Sequence, residues 1–531
     1  MKRFIFIGIV LLAAILRVYR LGDVPVGLHR DEAFLGYNAY SILKTGQDMT
    51  GNALPLHFES FLYSPAGYSY LAIPAIATFG LTPFAVRLPS AVFGTLTVVA
   101  IYILAAALFK KRNLGLLSSF VLAISPWHIN LSRTATENTI VVFLLAIATS
   151  LFITYLHRKH FGFFFVSIVL FSSTYLFYQA PRAFVPFLVP VLLIYGWKNI
   201  SRNDRLRVGF VTALFIFLPV LLIVSSSTLS LRIRTVSIFA SAEKQLKIDE
   251  ALRENTIANV PALIARLFHN KIAGYAELVA SNYFQHFSYD FLLTDKGLPA
   301  RYRVPGAGLT YPWELLFAIV GAVSLLRTSP HLAYLLLGWI ALAPIGSALT
   351  SDDVPNLQRT LIFFPALSLV TAYGINRLQK IHWKILLVCI VVYGLVTYLH
   401  SYYVMQIYHR PWYRHEGYKA LVEEVNRLLP NYTKAVITNH ESSPTIFFLF
   451  YNRTDPTLVQ QIWQKDKTAD LNTLSFGNYV FSKEACPTLT AEPKVLYVNF
   501  SDCKVKDPRI KLVSAVRRSD GTEVFRLLQI Q

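Results

Sequence analysis

The sequence predicts a polytopic α-helical membrane protein of about eleven crossings that ends in a soluble α/β domain. Three observations predict it. Hydrophobic residues make up 54% of the 531-residue chain and charged residues only 15%, against roughly 25% charged in an ordinary soluble protein. Apolar runs of spanning length recur from the first residue to about 400 and then stop. Beyond them, short β-branched runs alternate with helical patterns. This composition excludes a disordered chain, a coiled coil and a cytosolic enzyme of average make-up. In so apolar a chain, the net charge of +20 reads as loops held on the cytoplasmic side rather than as nucleic-acid binding. Three cysteines are too few for a disulfide framework or a Cys-rich metal site.

Crossings are expected near 4–20, 86–109, 114–131, 139–156, 161–178, 183–197, 208–226, 312–326, 331–349, 360–376 and 383–400. Several fall short of the ~20 residues that cross ~30 Å of hydrocarbon, so their ends extend by a few residues. No small-residue cleavage site follows the first run, which is therefore read as a retained helix. With residue 1 in the cytoplasm, the inner loops carry Lys2, Arg3, Lys110, Lys111, Arg112, Arg158, Lys159, Lys198, Arg202, Arg205, Arg207, Arg327, Arg377, Lys380 and Lys384. That is fifteen basic groups against one acid, Asp204. The asymmetry predicts a multi-pass protein of the plasma (inner) membrane with its N-terminus cytoplasmic and its C-terminus outside.

On this layout residues 1–408 form the transmembrane domain and 409–531 an extracytoplasmic α/β domain. Two outer segments, about 21–85 and 227–311, are too long to be connectors. The first is expected to hold two helices at the membrane surface, Asp31–Lys44 and Pro65–Phe79. In the terminal domain, Glu416–Leu429 is amphipathic and Ser443–Leu449 has helical character. Lys434–Thr438, Asn478–Phe481, Val495–Phe500, Leu512–Ala515 and Val524–Leu528 read as strands. Cys486 and Cys503 lie outside the membrane, where they either pair or stay as two thiols; Cys389 sits in a span and reads as packing.

The chain has no P-loop, HExxH, G-x-S-x-G or D-x-D pattern, and its histidines lack metal-ligand spacing. No metal ligands are assigned and no cofactor is required by the residues; a divalent metal remains an option without support from the sequence. The informative segment is Leu28-His29-Arg30-Asp31-Glu32-Ala33-Phe34-Leu35-Gly36-Tyr37, about ten residues beyond the first crossing. Its adjacent carboxylates either cap a helix, where the positive end of the dipole favours them, or supply a general base at the membrane surface. Neighbours on a helix point about 100° apart, so one faces a site and the other holds a cation or a backbone donor.

Leu16-Arg17-Val18-Tyr19-Arg20-Leu21 followed by Asp31-Glu32 resembles the GT-C glycosyltransferases. More narrowly, it is similar to the protein O-mannosyltransferase and aminoarabinose-transferase group (glycosyltransferase family 39 and relatives). Further similar stretches are Ser64-Pro65-Ala66-Gly67-Tyr68, Val86-Arg87-Leu88-Pro89-Ser90-Ala91, Ser125-Pro126-Trp127-His128 and Val304-Pro305-Gly306-Ala307-Gly308-Leu309. The resemblance covers roughly residues 1–400. It implies an integral-membrane enzyme that moves a sugar, with inversion, from a polyprenyl-phosphate carrier to an extracytoplasmic protein, lipid or glycan acceptor. Asp31 would deprotonate that acceptor, with Glu32 supporting Asp31 or a nearby cation. Arg87, Arg182 and Arg359, each at an outer mouth, are the candidates for the carrier phosphate; for Arg87 the alternative is an interfacial arginine snorkelling to lipid. Aminoarabinose transferases carry an acidic–Lys pair where this chain has Tyr63-Ser64, so their metal contact and lysine–phosphate contact have no counterpart here.

The competing reading is a transporter or lipid flippase, which would bury ionisable groups near mid-membrane. In this chain the charges gather at helix mouths and in the two outer segments. A third reading, a non-catalytic anchoring protein, predicts that the first outer segment is dispensable.

Overall fold

The computed structural model describes residues 2–58, 63–226, 235–240, 242–467, 470–490, 492–503 and 507–530. All eleven apolar runs are helical. In chain order come α1 (Lys2–Val18), α2 (Arg30–Thr45), α3 (Gly67–Phe79), α4 (Pro83–Phe109), α5 (Arg112–Ile124), α6 (Pro126–Ser132), α7 (Asn138–Arg158), α8 (Phe161–Ser173) and α9 (Ala180–Gly196). A proline begins α6, and α5 and α6 meet at a bend of 62°, because Pro126 supplies no N–H to continue the helix and turns the preceding residue to extended backbone.

Among the described residues, six helices are long and apolar enough to cross a membrane: Pro83–Phe109, Asn138–Arg158, Ala180–Asn199, Arg202–Ser225, Pro330–Ala348 and Ile381–Tyr408. The bent α5–α6 pair would make seven. The other expected crossings are shorter apolar helices, such as Phe161–Leu176 and Leu361–Ile375, or run 17 residues, as do α1 and Pro312–Thr328.

The chain divides into two units that do not follow the expected boundary at residue 408. One comprises residues 1–13, 96–128 and 138–392; the other comprises 14–95, 129–137 and 393–531. The terminal α/β region therefore shares a unit with the first outer segment instead of standing alone. The cause is apolar burial. Helix Pro444–Tyr451 is hydrophobic on all sides and buried from Pro444 to Phe450, so it needs cover that its own sheet does not fully provide. Helix α2 supplies it: a side chain at Gly36 would strike Val86 and Phe450. Polar ties finish the contact. Tyr37 Oη donates to Thr454 O at 3.0 Å, and Gln460 Nε2 donates to Ser41 Oγ, Thr45 Oγ1 and Asp48 O.

The sheet in this unit has the order β2-β1-β3-β5-β4, with β1 (Lys434–Thr438), β2 (Tyr479–Ser482), β3 (Val495–Phe500), β4 (Ile510–Arg517) and β5 (Glu523–Ile530). Strand β1 pairs parallel with β2 and β3, while β5 runs antiparallel to β3 and β4. Parallel neighbours require a crossover, and Pro444–Tyr451 and Pro456–Lys465 provide it between β1 and β2. Cys486 and Cys503 form a disulfide. Cys389, expected to be packed, is exposed on the outside of its helix.

In the other unit, Pro312–Thr328 lies directly on Phe364–Ile375. A Cβ at Gly321 would sit 2.0 Å from Val370 O, and one at Gly374 would sit 2.0 Å from Phe317 O. The two backbones touch because small residues permit it.

Candidate active site

Helix α2 begins at a folded cap. The His29 Nδ1 accepts the Asp31 N–H at 3.2 Å, and the Glu32 carboxylate accepts the His29 N–H at 3.1 Å, so each end satisfies an orphan donor of the first turn. The neighbouring carboxylates then part company. Asp31 keeps 23% of its side chain exposed, with Oδ2 3.4 Å from His29 Nδ1 and Oδ1 3.7 Å from Arg30 Nε.

Glu32 is buried and fully occupied. Its Oε1 accepts from Arg87 Nε at 2.9 Å and from Ala135 N at 2.9 Å; its Oε2 accepts from Arg87 Nη2 at 3.0 Å as well as from His29. Burial opposes its charge, yet the Arg87 guanidinium and the two backbone donors prevail and hold the Glu32 carboxyl below the usual carboxylate range.

Arg87 is completely buried, and its donors are engaged: besides Glu32, Nη1 reaches Leu21 O at 3.2 Å and Pro25 O at 3.0 Å, and Nη2 reaches Gly27 O at 2.6 Å. A guanidinium has five N–H groups, and all five have acceptors here. The expected carrier-phosphate contact has no donor left at Arg87; the side chain is an internal clamp. Arg133 does the same for the preceding stretch, donating to Leu16 O, Tyr19 O and Val24 O while Tyr402 and Tyr403 lie against its guanidinium. Two arginines thus gather six backbone carbonyls between Leu16 and Gly27 and fold the chain that delivers Asp31.

Two of the motif stretches, 64–68 and 86–91, meet at this clamp. Tyr68 Oη donates to Val86 O at 2.7 Å, Ser90 Oγ donates to Thr136 O at 2.9 Å and accepts from Thr136 N at 3.1 Å, and a Cβ at Gly94 would lie 2.2 Å from Ser132 Oγ. From the sequence Arg133 is only a weaker candidate for the carrier phosphate, a basic residue just past an apolar helix; in the fold its guanidinium is spent on backbone carbonyls.

Arg182 and Arg359 belong to the other unit. Arg359 is tied to its own loop, with Nη1 on Thr350 Oγ1 at 2.6 Å and Asp352 O at 2.8 Å and Nη2 on Asp352 Oδ1 at 2.9 Å. Arg182, 8% exposed, donates through Nη2 to Tyr175 O at 3.2 Å, while its buried Nε and Nη1 have no acceptor. Among the described residues, no three His, Cys, Asp or Glu side chains gather as a metal-ligand set.

The fold and this motif cluster define a class: a helical protein with the fold of the GT-C glycosyltransferases, resembling the mannosyltransferase and ArnT group. Residues 64–223 match the family described as dolichyl-phosphate-mannose-protein mannosyltransferase. ArnT from Cupriavidus metallidurans bound to undecaprenyl phosphate is similar in structure, with a TM-score of 0.56 and 11% identity over 99% of this chain and 97% of that one. The oligosaccharyltransferase AglB from Archaeoglobus fulgidus, in complex with an inhibitory peptide and a dolichol-phosphate, has a TM-score of 0.50 and 13% identity over 85% of this chain and 63% of that one. An uncharacterized protein of Aquifex aeolicus is 28% identical over 186 residues, which are 35% of this chain and 36% of that protein's length.

Proposed function

We propose that this protein is an integral-membrane glycosyltransferase that moves a sugar from a polyprenyl-phosphate carrier to an extracytoplasmic acceptor with inversion. The observation that carries the reading is the division of labour between Asp31 and Glu32: one carboxylate 23% exposed at the start of α2, the other buried beneath it in an ion pair with Arg87. A carboxylate that reaches the surface from a rigid mount is what a general base requires. In the reaction, Asp31 takes the proton from an acceptor hydroxyl or amine. The acceptor atom bonds to the anomeric carbon as the carbon–oxygen bond to the carrier phosphate breaks, and the phosphate leaves with the bonding pair. Displacement from the opposite face inverts the anomeric centre.

The leaving phosphate needs a cation. Arg182 is the candidate favoured by its two unengaged nitrogens, Nε and Nη1, ahead of Arg359, whose donors hold Asp352. The bound undecaprenyl phosphate of the ArnT structure and the dolichol-phosphate of the AglB structure support a lipid-linked donor. The basic inner loops support eleven crossings of the inner membrane, with the N-terminus inside and the terminal α/β region outside.

Purified protein in lipid nanodiscs, given undecaprenyl-phosphate-linked sugars and cell-envelope acceptors, should transfer sugar, and Asp31→Asn should abolish transfer. Wild-type protein that binds no polyprenyl phosphate and transfers no sugar from such donors would sink the reading.

A further inference from the structure

The residue that caps α2 is not held by its own helix alone. His29 stands two residues beyond Gly27, where an added Cβ would sit 2.8 Å from Arg414 O and 3.3 Å from Glu416 N. The strap 411–416, which belongs to the same unit, therefore presses on the chain that enters α2. Beside that contact the His29 and His415 rings stack, with centroids 4.7 Å apart and planes at 30°.

His415 is fixed in turn. Its backbone is left-handed, with φ at 55°, a region that a residue with a side chain occupies where its surroundings impose it. His415 N donates to Trp412 O at 3.0 Å. The ring meets Tyr418 and Phe447 edge-on at 6.4 and 5.9 Å, and those two rings stack on each other at 4.1 Å. Its Nε2 lies 3.4 Å from Ser442 Oγ. The terminal α/β region thus presents one imidazole, backed by an aromatic pair, to the imidazole that caps α2.

His29 meets Asp31 twice through one atom. Nδ1 accepts the Asp31 N–H at 3.2 Å, which requires a lone pair there and puts the proton of the neutral ring on Nε2. The same Nδ1 is 3.4 Å from Asp31 Oδ2. A ring turned about its Cβ–Cγ bond would drop the backbone N–H. A ring protonated at Nδ1 would drop it too and donate to Oδ2 instead; a hydrogen bond to the charged form of a carboxylate weakens it as a base. The charged and titratable neighbours of the pair are Arg30, Asp31 and Glu32 on α2, with Arg87 behind Glu32, and Arg414, Glu416 and Tyr418 in and after the strap. Beyond Tyr418 lie Glu441, ion-paired with Arg518 at 2.8 Å, and His440.

We propose that His415 is a positioning residue for the base: its ring, stacked on His29, holds that imidazole as the acceptor of the Asp31 N–H and keeps it from claiming the Asp31 carboxylate. The inference rests on the reading of Asp31 as general base and adds to it a residue of the terminal region. The stack needs a flat ring, so phenylalanine serves at position 415 where alanine does not.

The test measures sugar transfer and carrier binding by the full-length protein in nanodiscs, with undecaprenyl-phosphate-linked sugars as donors. His415→Ala should lower kcat about tenfold or more with carrier affinity unchanged, and His415→Phe should recover most of that loss. Should His415→Ala not fold, His415→Leu, which fills the space without a flat ring, takes its place. His29→Asn keeps a helix cap but removes the titrating ring. An imidazole ordinarily takes its proton at a higher pH than a carboxylate, so the acid limb of the wild-type rate should follow His29 and move to lower pH in His29→Asn. A ringless variant that transfers at the wild-type rate, His415→Phe as slow as that variant, or an unmoved acid limb in His29→Asn would each overturn the inference and leave the proposed function standing. A wild type that transfers no sugar, or transfer that survives Asp31→Asn, would overturn the base reading and the inference with it.

Discussion

Arg87 and Glu32, 55 residues apart in sequence, meet in a buried two-bond ion pair, Nε to Oε1 at 2.9 Å and Nη2 to Oε2 at 3.0 Å. The remaining donors of the guanidinium hold Leu21, Pro25 and Gly27. One arginine at the start of α4 thus fixes both the helix that bears Asp31 and the chain that leads into it.

Arg87→Ala should therefore fail as a fold defect. It strands a buried carboxylate, a loss of about 3–5 kcal/mol for a broken buried pair, and lowers the thermal unfolding midpoint in nanodiscs. Normal thermal stability with a selective loss of carrier binding would return Arg87 to the phosphate.

Asp31→Asn removes a partly open carboxylate with no change in size. Transfer should vanish through kcat, with carrier affinity and unfolding midpoint close to wild type. Turnover at the wild-type rate would exclude Asp31 as the base.

His286 gives an acid-side prediction. Its Nε2 accepts the Asn356 N–H at 3.2 Å, so the proton sits on Nδ1, which donates to Asn282 O at 2.7 Å; Nε2 also lies 2.9 Å from Ser347 Oγ. Burial pushes the imidazole from 6.5 down to about 4, with the nearby Arg359 charge acting in the same direction. The unfolded chain then binds more protons than the folded one between those values, so stability falls as pH drops from 6.5 toward 4, by roughly 3 kcal/mol at most. Unfolding midpoints across that window should show the decline, and His286→Gln should flatten it.

Gly321→Ala and Gly374→Ala each place a methyl group against an opposing carbonyl 2.0 Å away. Each should destabilise by about 1–3 kcal/mol or more, read as a lower unfolding midpoint; an unchanged midpoint would contradict the backbone contact.

Orientation is tested by cysteine labelling in intact cells after Cys389→Ser. Arg202→Cys, exposed at the start of Arg202–Thr212, should resist an impermeant thiol reagent, whereas Lys465→Cys, exposed on the terminal region, should label. The reverse pattern would invert the topology.

Much of the architecture was legible because it depends on local pattern. Runs of apolar residues became helices at each expected place, and Lys434–Thr438 and Val495–Phe500 became strands with those bounds. The domain boundary was not legible. It turns on Phe450 packing near Gly36 and Gln460 reaching Asp48, contacts between residues over 400 positions apart that no local period encodes. The role of Arg87 was hidden for the same reason: a guanidinium at a helix mouth looks alike whether it faces lipid, phosphate or a buried carboxylate.

By itself, the order of residues determined that this chain is helical and membrane-bound, where its helices fall, and that Asp31 and Glu32 stand side by side at the start of one. Only the tertiary structure decided which carboxylate stays partly exposed. Hydropathy and helical period are local properties, whereas burial of a charge depends on the partner brought to it. Folding brought Arg87 and the Ala135 N–H to Glu32 and left Asp31 at the edge.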